Sequence, residues 1–252
     1  MAPKYTVTFH TYNSTTSTIY DSTATIAVES GDTIFNVLGG QPNQGAKPPI
    51  AIEQGQGFRG WYRDEDGNNK FDVTDHVGGN MNLYACWGYL VGETRAYTGG
   101  GRIFYRKTSG FTIKSYETVI VERTAYYLEA YSADLSTALW SLNTNPTGAT
   151  DTDIGAGNKN TAMILDKQGG SGYAAFNCEN IAGYWHLPSW DELTELYNNK
   201  DKVGGFTSEW YWSSSESSIN TANAQIRNFI NGSTYQQPKR TVSEGVRPIR
   251  AF

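Results

Sequence analysis

Apolar and polar residues alternate from the start of the chain, with Tyr5, Val7 and Phe9 on one side and Thr6, Thr8 and His10 on the other. A period of two predicts a half-buried strand. Beyond Asn13-Ser-Thr-Thr-Ser17, a second alternating run puts Ala24, Ile26 and Val28 on one face. Asp32 then stands as N-cap of a short helix carrying Ile34, Phe35, Val37 and Leu38, which Gly39-Gly40 stops. Phe58-Arg-Gly-Trp-Tyr62 reads as a strand, Asp64-Glu-Asp-Gly-Asn-Asn69 as a turn, and Asn82-Leu-Tyr-Ala-Cys-Trp87 as a closing strand.

Gly88 to Gly101 reads as a join, weakest at Thr98-Gly-Gly-Gly101. Past it, Arg102-Ile-Phe-Tyr105, Thr118-Val-Ile-Val-Glu122 and Ala125-Tyr-Tyr-Leu-Glu-Ala130 are strand-like. A Gly/Asn/Thr-rich loop from Asn143 to Asn160 leads into a short helix, Asn160–Lys167, closed by Gly169-Gly170. Ser189-Trp-Asp-Glu192 is a capping box, and Leu193, Leu196 and Tyr197 follow at helical spacing on one face until Asn198-Asn199 ends the helix. The pattern predicts an α+β protein of two domains, residues 1–90 and 91–252.

Composition agrees with folded domains: 38% hydrophobic residues, 18% charged, and 7 Trp, 17 Tyr and 10 Phe in 252 residues. No apolar run approaches the roughly 18 residues of a membrane span, and no hydrophobic signal region follows Met1, so neither membrane insertion nor a visible leader is expected. A net charge of −5 with scattered Lys and Arg argues against nucleic acid as the partner. Cys86 and Cys178 lack disulfide or zinc spacing and read as small buried side chains.

Candidate chemistry is sparse. Gly55-Gln-Gly-Phe-Arg-Gly60 matches a nucleotide fingerprint literally, but strand residues follow it where a helix is required. Asp64-Glu-Asp-Gly-Asn68 lacks the glutamate that closes a calcium loop and reads as a turn. His10, His76 and His186 belong to no triad or metal signature; His186 is the one placed to lie near a pocket, and otherwise reads as a structural histidine. No catalytic residue, metal site or cofactor is expected.

Two stretches resemble known families. Gly57-Phe-Arg-Gly-Trp-Tyr62, Phe71-Asp72 and Leu83-Tyr-Ala-Cys-Trp87 resemble the internalin-type bacterial B repeat over about residues 5–87. That resemblance implies a β-grasp-like spacer module of extracellular proteins. Gly183-Tyr-Trp-His-Leu-Pro-Ser189, Glu192-Leu193, Leu196-Tyr197, Trp212-Ser-Ser-Ser-Glu216 and Val246-Arg-Pro-Ile-Arg-Ala-Phe252 resemble a bacterial and phage C-type-lectin-fold family over about residues 98–252. That family includes the variable proteins of diversity-generating retroelements, whose C-terminal segment is rewritten to change ligand specificity. The calcium motifs and disulfides of animal lectins are absent, so calcium-dependent sugar binding is not implied.

Between about 217 and 245 the chain is polar with little apolar periodicity, and Ala222, Phe229, Gly232 and Val246 are its expected buried anchors. Trp185, Trp212, Phe229 and Phe252 are expected to hold the scaffold. The exchangeable, ligand-facing positions implied by the resemblance are Ser217, Ser218, Ile219, Asn220, Asn223, Gln225, Arg227, Asn228, Asn231, Ser233, Thr234, Tyr235, Gln236, Gln237, Arg240, Thr241 and Ser243. Short amides and hydroxyls with a tyrosine form an adaptable contact chemistry. The expected partner is a protein or glycan on a target cell surface, with a homo-oligomer also open, on a phage tail or a bacterial surface. Two rivals remain: a fixed-specificity adhesin or structural domain, and an enzyme of the formylglycine-generating type, for which Cys178 has neither a second cysteine nor a thiolate-favouring neighbour.

Overall fold

A computed structural model describes residues 2–13, 18–37, 58–95, 99–116 and 123–252. The Asn13–Ser17 turn, the Gly39-Gly40 stop, the glycines at 55 and 57, Thr98 and the strand expected at 118–122 fall wholly or partly outside them. The chain divides into two compact units, Met1–Leu90 with Lys107–Ser109, and Val91–Arg106 with Gly110–Phe252. Strands outnumber helices in the described residues.

In the first unit, β1 (Lys4–Asn13), β2 (Thr18–Glu29), β3 (Phe58–Tyr62), β4 (Lys70–Phe71) and β5 (Met81–Trp87) form one sheet in the order β2-β1-β5-β3-β4. β1 and β5 run parallel and the other pairs antiparallel. The alternation has a physical cause: Val7, Phe9 and Val28 face a core with Ile34, Trp61, Phe71 and Leu83, while Thr6 faces water. Phe9 meets Trp61 edge-on at 4.7 Å. The short helix α1 (Ile34–Val37) directly follows Thr33, so Asp32 is not its cap; the Asp32 carboxylate accepts the Thr33 N–H instead. The Asp64 carboxylate accepts the N–H groups of Asn68 and Asn69, which makes 64–69 a self-bonded turn.

The second unit contains β6 (Arg102–Ile113) apart from residues 107–109, with β7 (Arg123–Ala130), β8 (Leu135–Leu139), α2 (Gly157–Gln168), α3 (Ala174–Glu179), α4 (Trp190–Asn198), α5 (Lys200–Val203), β9 (Trp210–Glu216), β10 (Asn223–Asn228), β11 (Thr234–Pro238), β12 (Ser243–Val246) and β13 (Ile249–Ala251). Five strands run in the order β11-β10-β9-β12-β8 and three in the order β13-β7-β6. β9 is central and buried on both faces: Trp212 enters a core with Trp140, Ile164, Tyr173, Leu187 and Val246, and Tyr211 enters another with Phe104, Leu128, Leu193, Leu196 and Phe229. α2 begins three residues earlier than its sequence suggests. Gly157 opens it because a Cβ there would lie within 3 Å of the Glu192 carboxylate, the Leu187 carbonyl and the His186 ring.

Candidate functional site

The site is built on α4 and the β10–β11 hairpin. Ser189 Oγ accepts the Glu192 N–H, and Glu192 accepts the Ser189 N–H at 2.7 Å and the Gly155 N–H at 2.9 Å, so the predicted capping box is formed and extended. Two buried serines of β9 fix this helix start and a third ties β9 to β10. Ser215 Oγ accepts the Trp190 N–H, Ser214 N–H donates to the Pro188 carbonyl, and Ser213 Oγ donates to the Gln225 carbonyl. The Trp-Ser-Ser-Ser-Glu motif is therefore a set of joints that ties helix to sheet.

From α4, Trp190, Thr194 and Tyr197 point to one side at i, i+4 and i+7, away from buried Leu193 and Leu196. Arg227 on β10 closes on that stripe, 4.8 Å above the Trp190 ring and 5.3 Å from the Tyr197 ring, and donates to Thr194 Oγ1 at 2.9 Å. β10 alternates: Ala224, Ile226 and Asn228 are buried while Asn223, Gln225 and Arg227 face outward. Across the ladder, Gln236 stands opposite Gln225 and Thr234 opposite Arg227, so these side chains share one face. Asn223, Gln225, Thr234 and Gln236, with Trp190 and Tyr235, border an open groove of about 440 Å³, and Arg227 stands beside it, opposite Thr234 in the ladder.

The seventeen positions expected to face a ligand do not form one surface. Asn223, Gln225, Arg227, Thr234 and Gln236 come together on the groove face. Tyr235 and Gln237 lie on the opposite face of β11, opposite Ile226 and Ala224, although Tyr235, 62% exposed at the sheet edge, also reaches the groove. Ser217 and Asn228 are buried, a correction to their ligand-facing role. Ser217 Oγ accepts the N–H groups of Ile219 and Asn220 and donates to Gln236. Asn228 Oδ1 accepts the N–H groups of Ile230 and Asn231, while Nδ2 donates to Glu209. Both hold turns. Asn231 accepts both the N–H and the hydroxyl of Ser233, so this pair completes the hairpin turn. Ser218, Ile219 and Asn220 occupy the β9–β10 turn, Arg240 and Thr241 a turn after β11, and Ser243 starts β12, separated from β10 by β9.

The anchors also differ from expectation. Phe229 and Val246 are buried, but Ala222 and Gly232 are only half-buried, and Ala224 and Ile226 do the anchoring. Trp185 and Trp212 are buried, whereas Phe252 is half-buried, stacked on Tyr127 and covered by Arg95. Sequence reading missed Trp190 because it sits in the capping box rather than in the apolar stripe. Ile230, 71% exposed, went unremarked beside Ile219.

Buried charges tie the second unit together. Lys239, within the polar segment, donates to Glu216 at 2.6 Å and to the Asn145 carbonyl, while Glu216 also accepts the N–H groups of Thr147 and Gly148. Arg247 pairs with Asp134 and donates to the carbonyls of Tyr131, Gly204 and Gly205. Arg250 pairs with Glu129. The terminal Val-Arg-Pro-Ile-Arg motif is thus interior wiring. His186 is buried, which pushes its pKa down to about 4, and burial pushes the Glu192 carboxyl up to about 7 against the N–H groups that hold it. Cys86 and Cys178 are both buried free thiols; burial, and then Glu179, push the Cys178 pKa up.

No curated protein matches this chain. Residues 5–86, most of the first unit, match the family model of the Listeria-Bacteroides repeat domain, a surface-protein repeat.

Proposed function

We propose that the chain is a surface-displayed binding protein, in which a β-grasp-like repeat serves as spacer for a C-type-lectin-fold unit that carries a diversified ligand face on β10 and β11. The reading includes no catalysis. Its setting is a phage tail tip or a bacterial surface, and its partner a protein or glycan on a target cell.

One observation carries the reading: on β10, buried Ala224, Ile226 and Asn228 alternate with outward Asn223, Gln225 and Arg227. Fixed and free positions are interleaved one by one, so outward side chains can be exchanged at about ±0.5 kcal/mol each while the inward ones keep the fold. The repeat in the first unit supports a surface setting. The Cys178 thiol, sealed in a core and held protonated, has no route to a reacting group, which supports binding over oxidative chemistry.

Deep sequencing of the gene's 3′ end in its source population tests the proposal. Substitutions are expected at the codons for 223, 225, 227, 234 and 236, matching adenines in a nearby template copy, and not at 217, 224, 226, 228 or 239. Invariance of all these codons would leave a fixed-specificity adhesin. Changes spread evenly over buried and outward positions would remove the face itself.

A further inference from the structure

Among the described residues, Arg227 is a cation without an acid. Lys239, Arg247 and Arg250 each meet a carboxylate oxygen at 2.6 Å, whereas among the described residues no carboxylate reaches Arg227. Its Nε is buried with no hydrogen-bond partner, and one terminal nitrogen reaches only the Gly232 carbonyl, at 3.5 Å. Trp190, Tyr197 and Thr194 hold the guanidinium in place without neutralising it. Burial lowers its pKa, as expected for a charge that lacks a counter-charge.

Along the same face, the side chains of Asn223, Gln225 and Thr234 make no hydrogen bond to the rest of the described chain and border the groove next to Arg227. On the reading of this face as a ligand face, we propose that the groove takes a carboxylate-bearing saccharide, with Arg227 binding the carboxylate and the amides of Asn223 and Gln225 binding ring hydroxyls. A guanidinium fork matches a carboxylate in two parallel bonds, and the long bond to Gly232 is the one a ligand would replace. The lining favours a sugar over a peptide. Its large nonpolar surfaces are the rings of Trp190 and Tyr235, and the rest is amide and hydroxyl, with no aliphatic pocket to seat a peptide anchor.

Isothermal titration of the full chain with digalacturonate and sialyllactose, each beside its methyl ester, tests this. The esters keep the ring and remove the charge, so the unmodified protein gives the decisive comparison whether or not any variant folds. At least one acid is expected to bind at least tenfold more tightly than its ester, and Arg227→Gln, with melting temperature checked, to abolish that preference. The inference is overturned if ester and acid bind alike, if tetraglutamate binds as tightly as the sugars, or if neither acid binds. Population sequencing is read separately, so a face that varies but ignores both acids sinks the saccharide assignment alone.

Discussion

Lys239 lies inside the segment whose outward residues are proposed to be exchangeable, yet its ammonium is fully buried against Glu216. Lys239→Met keeps most of the side chain's volume and removes the charge. It leaves a carboxylate in the interior with only the Thr147 and Gly148 N–H groups to hold it. Removing one partner of a buried pair costs about 3–5 kcal/mol. At about 2–4 °C per kcal/mol for a unit of this size, the melting temperature should fall by roughly 6–20 °C. Adding Glu216→Gln neutralises the stranded charge and keeps an acceptor for one N–H, so the double variant should recover part of the loss. Near-UV circular dichroism of the full chain reads the transition through buried Trp140 and Trp212. Because the pair is sealed from solvent, salt should not shrink the difference. A drop smaller than about 3 °C, or a double variant worse than Lys239→Met, refutes the assignment of Lys239 as a buried structural charge.

Three further outcomes follow from the same packing. Phe229, which meets Tyr211 at 4.5 Å and Phe206 at 4.8 Å, should cost about 3–5 kcal/mol as Phe229→Ala, whereas Asn231→Ala should cost about 1 kcal/mol or less; equal losses in urea unfolding contradict the scaffold. Asn228→Ala should destabilise by about 2 kcal/mol, since two turn N–H groups lose their acceptor; unchanged stability in the same assay would return Asn228 to the exchangeable set. His186 and Glu192 should give opposite pH profiles. The unfolded chain protonates histidine below about 6.5 while folded His186 stays neutral to about 4, so stability falls as pH drops through that window, by about 3 kcal/mol in all. Folded Glu192 stays protonated to about 7 while the unfolded carboxyl ionises above 4.5, so its contribution falls as pH rises. The two oppose each other between pH 4.5 and 6.5. Relative to the parent, His186→Leu should lose stability with rising pH and Glu192→Gln should gain it; parallel profiles in all three proteins would show that neither group titrates as assigned.

What the sequence disclosed depended on whether a residue's role was written in its near neighbours. Strand alternation in β1, the Asp64 turn and the Ser189 capping box are local patterns, and each appears as expected. Long-range roles were not legible. Nothing beside Lys239 names Glu216, 23 positions away, and nothing beside Arg247 names Asp134, 113 positions away, so neither ion pair could be read from spacing. Asn228 and Ser217 look like contact residues because amides and hydroxyls serve turns and ligands with the same atoms. β10 escaped notice for another reason: alanine, isoleucine and asparagine are its inward residues, and two of the three carry little hydrophobic signal. Trp190 belongs to the groove only through Arg227, which no spacing rule on α4 could reveal.

β13 lies downstream of the polar 217–245 segment and pairs with β7, near the opposite end of the same unit's sequence. Its Ile249 fills the core beside Phe104 and Leu128, and Arg250 shares the buried Glu129 with Arg95. A polypeptide cut short or shifted out of frame anywhere between 217 and 248 therefore lacks the strand that seals this unit, and leaves the buried Glu129 with Arg95 as its remaining cation. Such products would be cleared as misfolded before reaching a surface. On the proposed reading of 217–245 as a diversified segment, a core strand placed after it makes folding itself a proofreading step, passing only messages translated in frame through β13.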